Sequence, residues 1–111
     1  MAQMIVIYKT PKDAAAFARH YFEVQVPLAR QLPGLRKYET SCGPIISLYG
    51  AAEAHFVATL QFASLSDITA AFASECARAC AADRRQLVPH ASDVEMFLFE
   101  NQSLLMTGAI P

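Results

Sequence analysis

The order in which strand-like and helix-like apolar patterns follow one another constrains this fold most. Four short runs with strand character lie at residues 4–9, 35–42, 55–63 and 93–100. After the first and third runs, apolar residues recur at steps of three and four, which is the helical period. The order β-α-β-β-α-β predicts an α+β, ferredoxin-like βαββαβ protomer with two helices on one face of a four-stranded antiparallel sheet.

Start and stop signals support both helices. The first is expected to begin at Thr10 and Pro11, because threonine caps helices and proline suits their first turn, and to end at Pro33-Gly34. The second is expected to begin at Ser64 or Ser66 and to bend or restart near residues 74–75. The predicted core-facing stripes are Phe17, Tyr21, Val24, Leu28 and Leu32 in the first helix, and Ile68, Phe72, Cys76 and Ala79 in the second.

Neither the first nor the last strand has a clean polar face. A sheet covered by helices on one side only should show one, and an uncovered apolar face is typical of an association site. Packing of two copies sheet against sheet around a two-fold axis would bury that face, so a homodimer is predicted. The alternating residues are Met4, Val6 and Tyr8 against Ile5 and Ile7, and Val94, Met96 and Leu98 against Phe97 and Phe99.

Length and charge narrow the class of protein. The 111 residues suit one domain, taken as residues 1–100, followed by a tail at residues 101–111. A net charge of −1 without a basic run argues against nucleic-acid binding. Since no stretch of eighteen apolar residues and no signal peptide is present, we expect no membrane partner and a cytoplasmic location.

The sequence predicts neither a metal nor a cofactor. Three cysteines are an odd count, which argues against a disulfide framework. Cys76 and Cys80 stand four apart among alanines and are interpreted as small buried apolar residues rather than metal ligands. With four glycines and no phosphate-binding fingerprint, a nucleotide cofactor is not expected.

Pro27 interrupts the first helix. Because proline lacks an N–H and its ring clashes with the carbonyl four residues earlier, the helix should kink or restart there. Gln25 lies beside the break. We hypothesise that its amide points into a pocket at this point; the alternative is a solvated helix residue.

Several segments resemble one family. They are Phe17, His20-Tyr21-Phe22, Pro27-Leu28, Leu32-Pro33-Gly34-Leu35-Arg36, the strand near residues 56–62, Ser64-Leu65-Ser66, Ser74-Glu75 and Ala82-Asp83. In these features the chain, over about residues 4–100, resembles the EthD family of the dimeric α+β barrel superfamily. The resemblance implies a ferredoxin-like protomer, a homodimer with sheets face to face, and a pocket between sheet and helices. It also implies a link to ether degradation beside an oxygenase system, with relatives that look like lactone isomerases, aromatic polyketide cyclases and decarboxylases.

One departure from the family pattern bears on chemistry. Members commonly carry a histidine two residues before the proline, whereas this chain has Gln25 there. Histidine exchanges protons near neutral pH, and glutamine only donates and accepts hydrogen bonds. His20 is about 140° away on a helical wheel, so it is a poor substitute.

The predicted site combines two polar residues with apolar walls. Tyr38 and Gln25 are predicted to orient a carbonyl or enolate oxygen. The chain is then either an enzyme of cofactor-independent proton transfer on a hydrophobic or aromatic molecule, or a non-catalytic binding or accessory protein. Gln25 favours the second interpretation. Haem binding would need a histidine aimed into the pocket. Predicted ligand-binding residues are Tyr21, Phe17, Val24, Leu28, His55 and Gln61; His90 and Arg84-Arg85 are expected to be solvated.

Overall fold

The computed structural model describes residues 1–105 and has the predicted order of elements. The strands are β1 (Ala2–Tyr8), β2 (Lys37–Thr40), β3 (Phe56–Phe62) and β4 (Val94–Glu100). The helices are α1 (Ala14–His20), a π-helical turn (Tyr21–Gln25), α2 (Val26–Ala29), α3 (Leu65–Phe72), α4 (Glu75–Leu87) and a 3₁₀ turn (Ala91–Asp93). The predicted tail falls partly outside the described residues, at residues 106–111.

The four strands form one antiparallel sheet in the order β2-β3-β1-β4. Met4 in the central strand pairs with Leu60 on one side and Leu98 on the other, so these three side chains share a face. The helices cover that face over β1 and β3, where Met4 and Leu60 are buried. The ferredoxin-like α+β prediction is confirmed.

The first helix begins later than its sequence suggests. Asp13, not Thr10, caps it, and its Oδ1 accepts a hydrogen bond of 3.0 Å from the Ala16 backbone N–H. The predicted start at Thr10 and Pro11 is therefore wrong. Thr10 instead donates its backbone N–H to Glu53 at 3.0 Å.

The predicted interruption at Pro27 is confirmed, and it takes the form of the π-helical turn. The wider turn lets the Val26 N–H reach the Tyr21 carbonyl before Pro27 enters the first turn of α2. A wider turn also moves the inward-facing position one residue along the chain. Gln25 is therefore buried at 3 % exposure, while Val24 is 40 % exposed. Placing Val24 on the core-facing stripe was wrong for this reason.

The second helical stretch restarts where it was predicted to. α3 ends at Phe72, and Ser74 caps α4 by accepting a hydrogen bond of 3.1 Å from the Ala77 N–H. Within α3, Ala71 is buried and Phe72 is exposed, so placing Phe72 on the core-facing stripe was wrong. Because the restart changes the helical phase, Ala79 is exposed as well. The buried residues of α4 are Cys80 and Asp83.

No helix covers the sheet's other face within the described part of the chain. That open face carries Ile5 and Ile7 in β1 and Phe97 and Phe99 in β4, with the two phenylalanines 48 % and 39 % exposed. Its polar members include Gln61 in β3. The open face is therefore an apolar strip with polar neighbours. In residues 1–105 no helix is both long and apolar enough to cross a membrane.

Candidate functional site

A buried polar cluster lies between the π-helical turn, α4 and the covered face of the sheet. Gln25 is its most unusual member, because its Oε1 atom is fully buried and has no hydrogen-bond partner among the described residues. Buried amide oxygens are nearly always paired. The orientation of Gln25 into the interior follows from the π-helical turn beside Pro27.

Three tyrosines supply hydroxyl groups to this polar cluster. The hydroxyls of Tyr21 and Tyr38 are 2.5 Å apart and bond to each other. Tyr8, at the end of β1, packs edge-on against Tyr21 with ring centroids 5.9 Å apart. Burial raises the pKa of Tyr38 to about 12, and it raises the pKa of Tyr21 and of Tyr8 as well. All three phenols are therefore protonated at neutral pH and able to donate hydrogen bonds.

Arg84 brings a positive charge to the same place. Its Nε atom is fully buried without a partner in residues 1–105, so the expectation that Arg84 is solvated was wrong. The guanidinium opposes the burial effect by lowering the pKa of Tyr8, Tyr21 and Tyr38. Arg84 is turned inward because it follows Cys80 by four residues and so shares the buried side of α4.

The space inside the polar cluster is small. A cavity of about 20 Å³ lies among Gln25, Tyr21, Tyr38, Tyr8 and Arg84, which is room for roughly one water molecule. It does not hold a whole ligand in this structure. Apolar side chains of the core line this cavity together with the polar groups, and it is far smaller than a ligand pocket.

A larger apolar groove of about 280 Å³ adjoins this cavity, between α4 and β4. Met4, Leu32, Cys80 and Arg84 line both the groove and the cavity. Burial, followed by the neighbouring Cys76, raises the pKa of Cys80 to about 11, so its sulfur is a neutral thiol. The groove and the cavity therefore meet at Arg84.

The structure brings together only part of the predicted site. Tyr21, Tyr38 and Gln25 converge, and Phe17 stacks on Tyr21 with centroids 6.0 Å apart. Leu28 is half-buried, packs against the core and accepts a hydrogen bond from Cys76 through its carbonyl, without lining the cavity. The exposed Val24 does not line it either.

The structure does not bring the two predicted ligand-binding residues His55 and Gln61 together, although alternation along residues 55–63 would put them on one strand face. His55 precedes β3, and its ring lies edge-on to Phe17, with centroids 6.1 Å apart, on the helix side. Gln61 lies on the open face, paired with Gln3 and Lys37. His55 instead lines a depression of about 550 Å³ beside residues 41–45, separate from the polar cluster.

His20 is directed elsewhere too. Its Nε2 lies 2.6 Å from Oδ1 of the buried Asp83, at the edge of a surface groove of about 420 Å³. His90 is exposed, as expected, and lines the same groove. None of the three histidines lines the cavity at Gln25, so the haem hypothesis has no axial ligand there.

Sequence reasoning missed Tyr8 and Arg84 as members of the site. Tyr8 was placed on the Met4–Val6 face but not connected with a pocket. For Arg84 the signal was its spacing, because Cys76, Cys80 and Arg84 recur at four-residue steps. The assembled cluster offers neutral hydroxyl donors and a cation around a space of atomic size. Such a set of groups stabilises negative charge on an oxygen atom.

Comparison with known proteins agrees with this fold. A family model described as the EthD domain matches residues 9–90. A protein of Rhodococcus erythropolis, described as an uncharacterized 11.0 kDa protein in the thcB-thcC intergenic region, is 36 % identical over 84 residues. That alignment covers 75 % of this chain and 80 % of the relative.

Solved structures show the same architecture. An ethyl tert-butyl ether D (EthD) family protein of Bacillus halodurans superposes with a TM-score of 0.80 at 22 % identity, covering 92 % of this chain and 99 % of that one. A dimeric ferredoxin-like protein of Thermobifida fusca gives 0.63 at 16 % identity, with 88 % of each chain covered. SnoaB of Streptomyces nogalater, described as a cofactor-independent oxygenase, gives 0.63 at 14 % identity, covering 93 % and 95 %. The fold is thus that of the dimeric α+β barrel proteins, and the chain belongs to the EthD domain family.

Proposed function

We propose that this EthD-family protein is a cytoplasmic homodimer that binds a hydrophobic or aromatic small molecule and assists proton transfer on it without a cofactor. The reaction would be an isomerisation, cyclisation or decarboxylation in a catabolic or oxidative pathway. These reactions share one requirement, because each develops negative charge on an oxygen of the substrate. Tyr38 would donate a hydrogen bond to that oxygen, and Gln25 would orient the ligand by accepting a hydrogen bond from its O–H or N–H at Oε1.

The observation that carries the proposal is the buried Oε1 of Gln25, which has no hydrogen-bond partner within residues 1–105. A buried amide oxygen without a partner destabilises a fold by about 1–3 kcal/mol. A residue of this kind is expected at a site that is completed by another molecule. The adjoining hydroxyl pair of Tyr21 and Tyr38 supplies donors of the right kind.

The volumes of the cavity and of the adjoining groove suggest that they would hold different parts of one ligand. The 20 Å³ cavity suits a single oxygen atom, and the 280 Å³ groove suits the apolar body of a ligand. An apolar cavity of about 150 Å³ is known to hold benzene, so the groove is large enough for a substituted single ring.

The homodimer is proposed to form through the open face. Ile5, Ile7, Phe97 and Phe99 would pack against the same residues of a second copy. Structural neighbours described as dimeric support this. Because the helices lie on the opposite face, dimer formation would leave the groove beside α4 open.

The second candidate function is a non-catalytic binding or accessory protein of an oxygenase system. Gln25 favours it, since the residue cannot act as an acid or base. SnoaB, described as a cofactor-independent oxygenase, has the same fold, and this likeness of fold is its only support for the enzyme hypothesis.

The two functions are separated by turnover assays on a panel of lactones and aromatic keto acids. Under the enzyme reading, Tyr38→Phe should lower kcat/KM at least 100-fold, because an oxygen-stabilising donor is lost. Tyr49→Phe is the matched control, since Tyr49 is 94 % exposed. Ligand binding without turnover in the wild-type protein would favour the accessory function, and an equal effect of both substitutions would contradict the role of Tyr38.

A further inference from the structure

Arg84 carries a charge that forms no ion pair with the described residues 1–105. The ion pairs formed within residues 1–105 are His20–Asp83 and Lys37–Glu39, and neither includes Arg84. Asp83, its neighbour in sequence, is directed to His20 at 2.6 Å. The phenols and thiol around the guanidinium are uncharged at neutral pH. The partly buried guanidinium therefore forms no ion pair within residues 1–105, and the nearest carboxylate in sequence, Asp83, binds His20 through one of its oxygens.

The position of Arg84 connects the two spaces of the site. It lines the apolar groove together with Phe72 and Met96, and it lines the polar cavity together with Gln25 and Tyr38. Its fully buried Nε–H is an unused donor. The Oε1 of Gln25, which is nine-tenths buried or more, is an unused acceptor lining the same cavity.

We propose that Arg84 is the recognition residue for an acidic oxygen of the ligand, and that the ligand is a small apolar acid whose body occupies the groove between α4 and β4. This inference rests on the proposed small-molecule function and names the class of molecule. A carboxylate, phenolate or enolate oxygen accepts from the guanidinium, which is the residue type best suited to such groups. An acid in its OH form donates to Gln25.

The arrangement selects against neutral ligands of the same shape. A neutral amide or ester in the groove leaves the Arg84 charge without a counter-ion after displacing water from it, whereas a carboxylate replaces that water with a charged partner. Discrimination of at least tenfold is expected, since hydrogen bonds between charged partners are stronger than neutral ones. The groove residues supply affinity without this discrimination.

The test compares 4-ethylbenzoate with 4-ethylbenzamide, two probes of one shape that differ in charge at pH 7. Binding is followed by the ¹³C-methyl NMR signals of Met4 and Met96, which line the groove, with the exposed Met1 as internal reference. Variants are Arg84→Met, which removes the charge, and Arg84→Lys, which keeps it. Arg85→Met is the matched control, because Arg85 is the adjacent exposed arginine of the same helix.

We expect the benzoate to bind at least tenfold more tightly than the benzamide and to shift Met4 and Met96 but not Met1. Arg84→Met should abolish this preference, while Arg84→Lys and Arg85→Met should retain it. Circular dichroism melting checks that each variant is folded, and the wild-type comparison of the two probes decides even if Arg84→Met does not fold.

Equal affinity of wild-type protein for both probes, or an unchanged preference in folded Arg84→Met, overturns the recognition of an acid while leaving a small-molecule site intact. If neither probe shifts the Met4 and Met96 signals, both this inference and the proposed function fail.

Discussion

Replacement of Gln25 by leucine should stabilise the protein, although it removes a polar residue from the proposed site. Gln25 is 3 % exposed and its Oε1 has no partner in the described part of the chain. Leucine has a similar size and needs no hydrogen bond. Relief of an unsatisfied buried oxygen is worth about 1–3 kcal/mol, and we expect a net gain of roughly 1.5 kcal/mol after imperfect packing of the branched side chain.

This gain in the free energy of unfolding can be converted into a change in melting temperature. Unfolding entropy is about 2.1 cal/mol/K per residue, which for 111 residues is roughly 0.23 kcal/mol/K. A gain of about 1.5 kcal/mol therefore raises Tm by about 6 °C. Gln25→Leu should at the same time weaken binding of a ligand that donates an O–H at this position, because the acceptor in the cavity is lost.

Thermal melting followed by circular dichroism measures the effect, at one protein concentration for all variants since dimer formation makes Tm concentration-dependent. Gln31→Leu is the control, because Gln31 is an exposed glutamine near the same helix end, and it should change Tm by less than about 2 °C. A fall of several degrees in Gln25→Leu would refute the reasoning, since it would show that the amide is fully hydrogen-bonded in the unliganded protein.

Three further outcomes are expected. The raised pKa values of Tyr21 and Tyr38, the latter to about 12, mean that the folded state binds more protons than the unfolded state above pH 10. Stability should therefore be complete below pH 10 and fall as pH rises toward 12; urea unfolding at pH 8 to 12 checks this, and a flat profile contradicts it. Phe97→Glu on the open face should yield monomers in sedimentation velocity, whereas Phe72→Ser on the helix side should not; dimers in both would place the interface elsewhere. Gln25→His should gain turnover on a lactone or aromatic keto acid. The rate should rise with pH as the introduced imidazole loses its proton, and burial and the charge of Arg84 should lower the pKa of that imidazole. The absence of any gain in pH-dependent assays would count against acid–base chemistry at this position.

Local sequence patterns predicted much of the fold. The strand faces followed from alternation, and the two helix interruptions followed from Pro27 and from the serine at position 74, each of which acts on its own neighbours. Tyr38 pairs with the buried Leu60 and so lies on the helix-covered face of β2, a position that strand alternation alone leaves open between the two faces.

The composition of the site could not be predicted from local sequence patterns. An uninterrupted helical period put Val24 inward, but the π-helical turn moved that role to Gln25. A shift of one residue rotates a helix by about 100°, so a single wide turn exchanges an exposed residue with a buried one. His55 was misassigned for a related reason, since it stands just before β3, where strand alternation no longer applies.

By itself, the sequence determined the order of elements, the positions of the breaks and the apolar character of both sheet faces, because each depends on neighbours along the chain. Only the tertiary structure decided that Arg84 lies beside three tyrosines and that the space between them is about 20 Å³. Those two facts depend on how far α4 stands from the sheet and on the phase of the helix opposite, and packing across elements sets both.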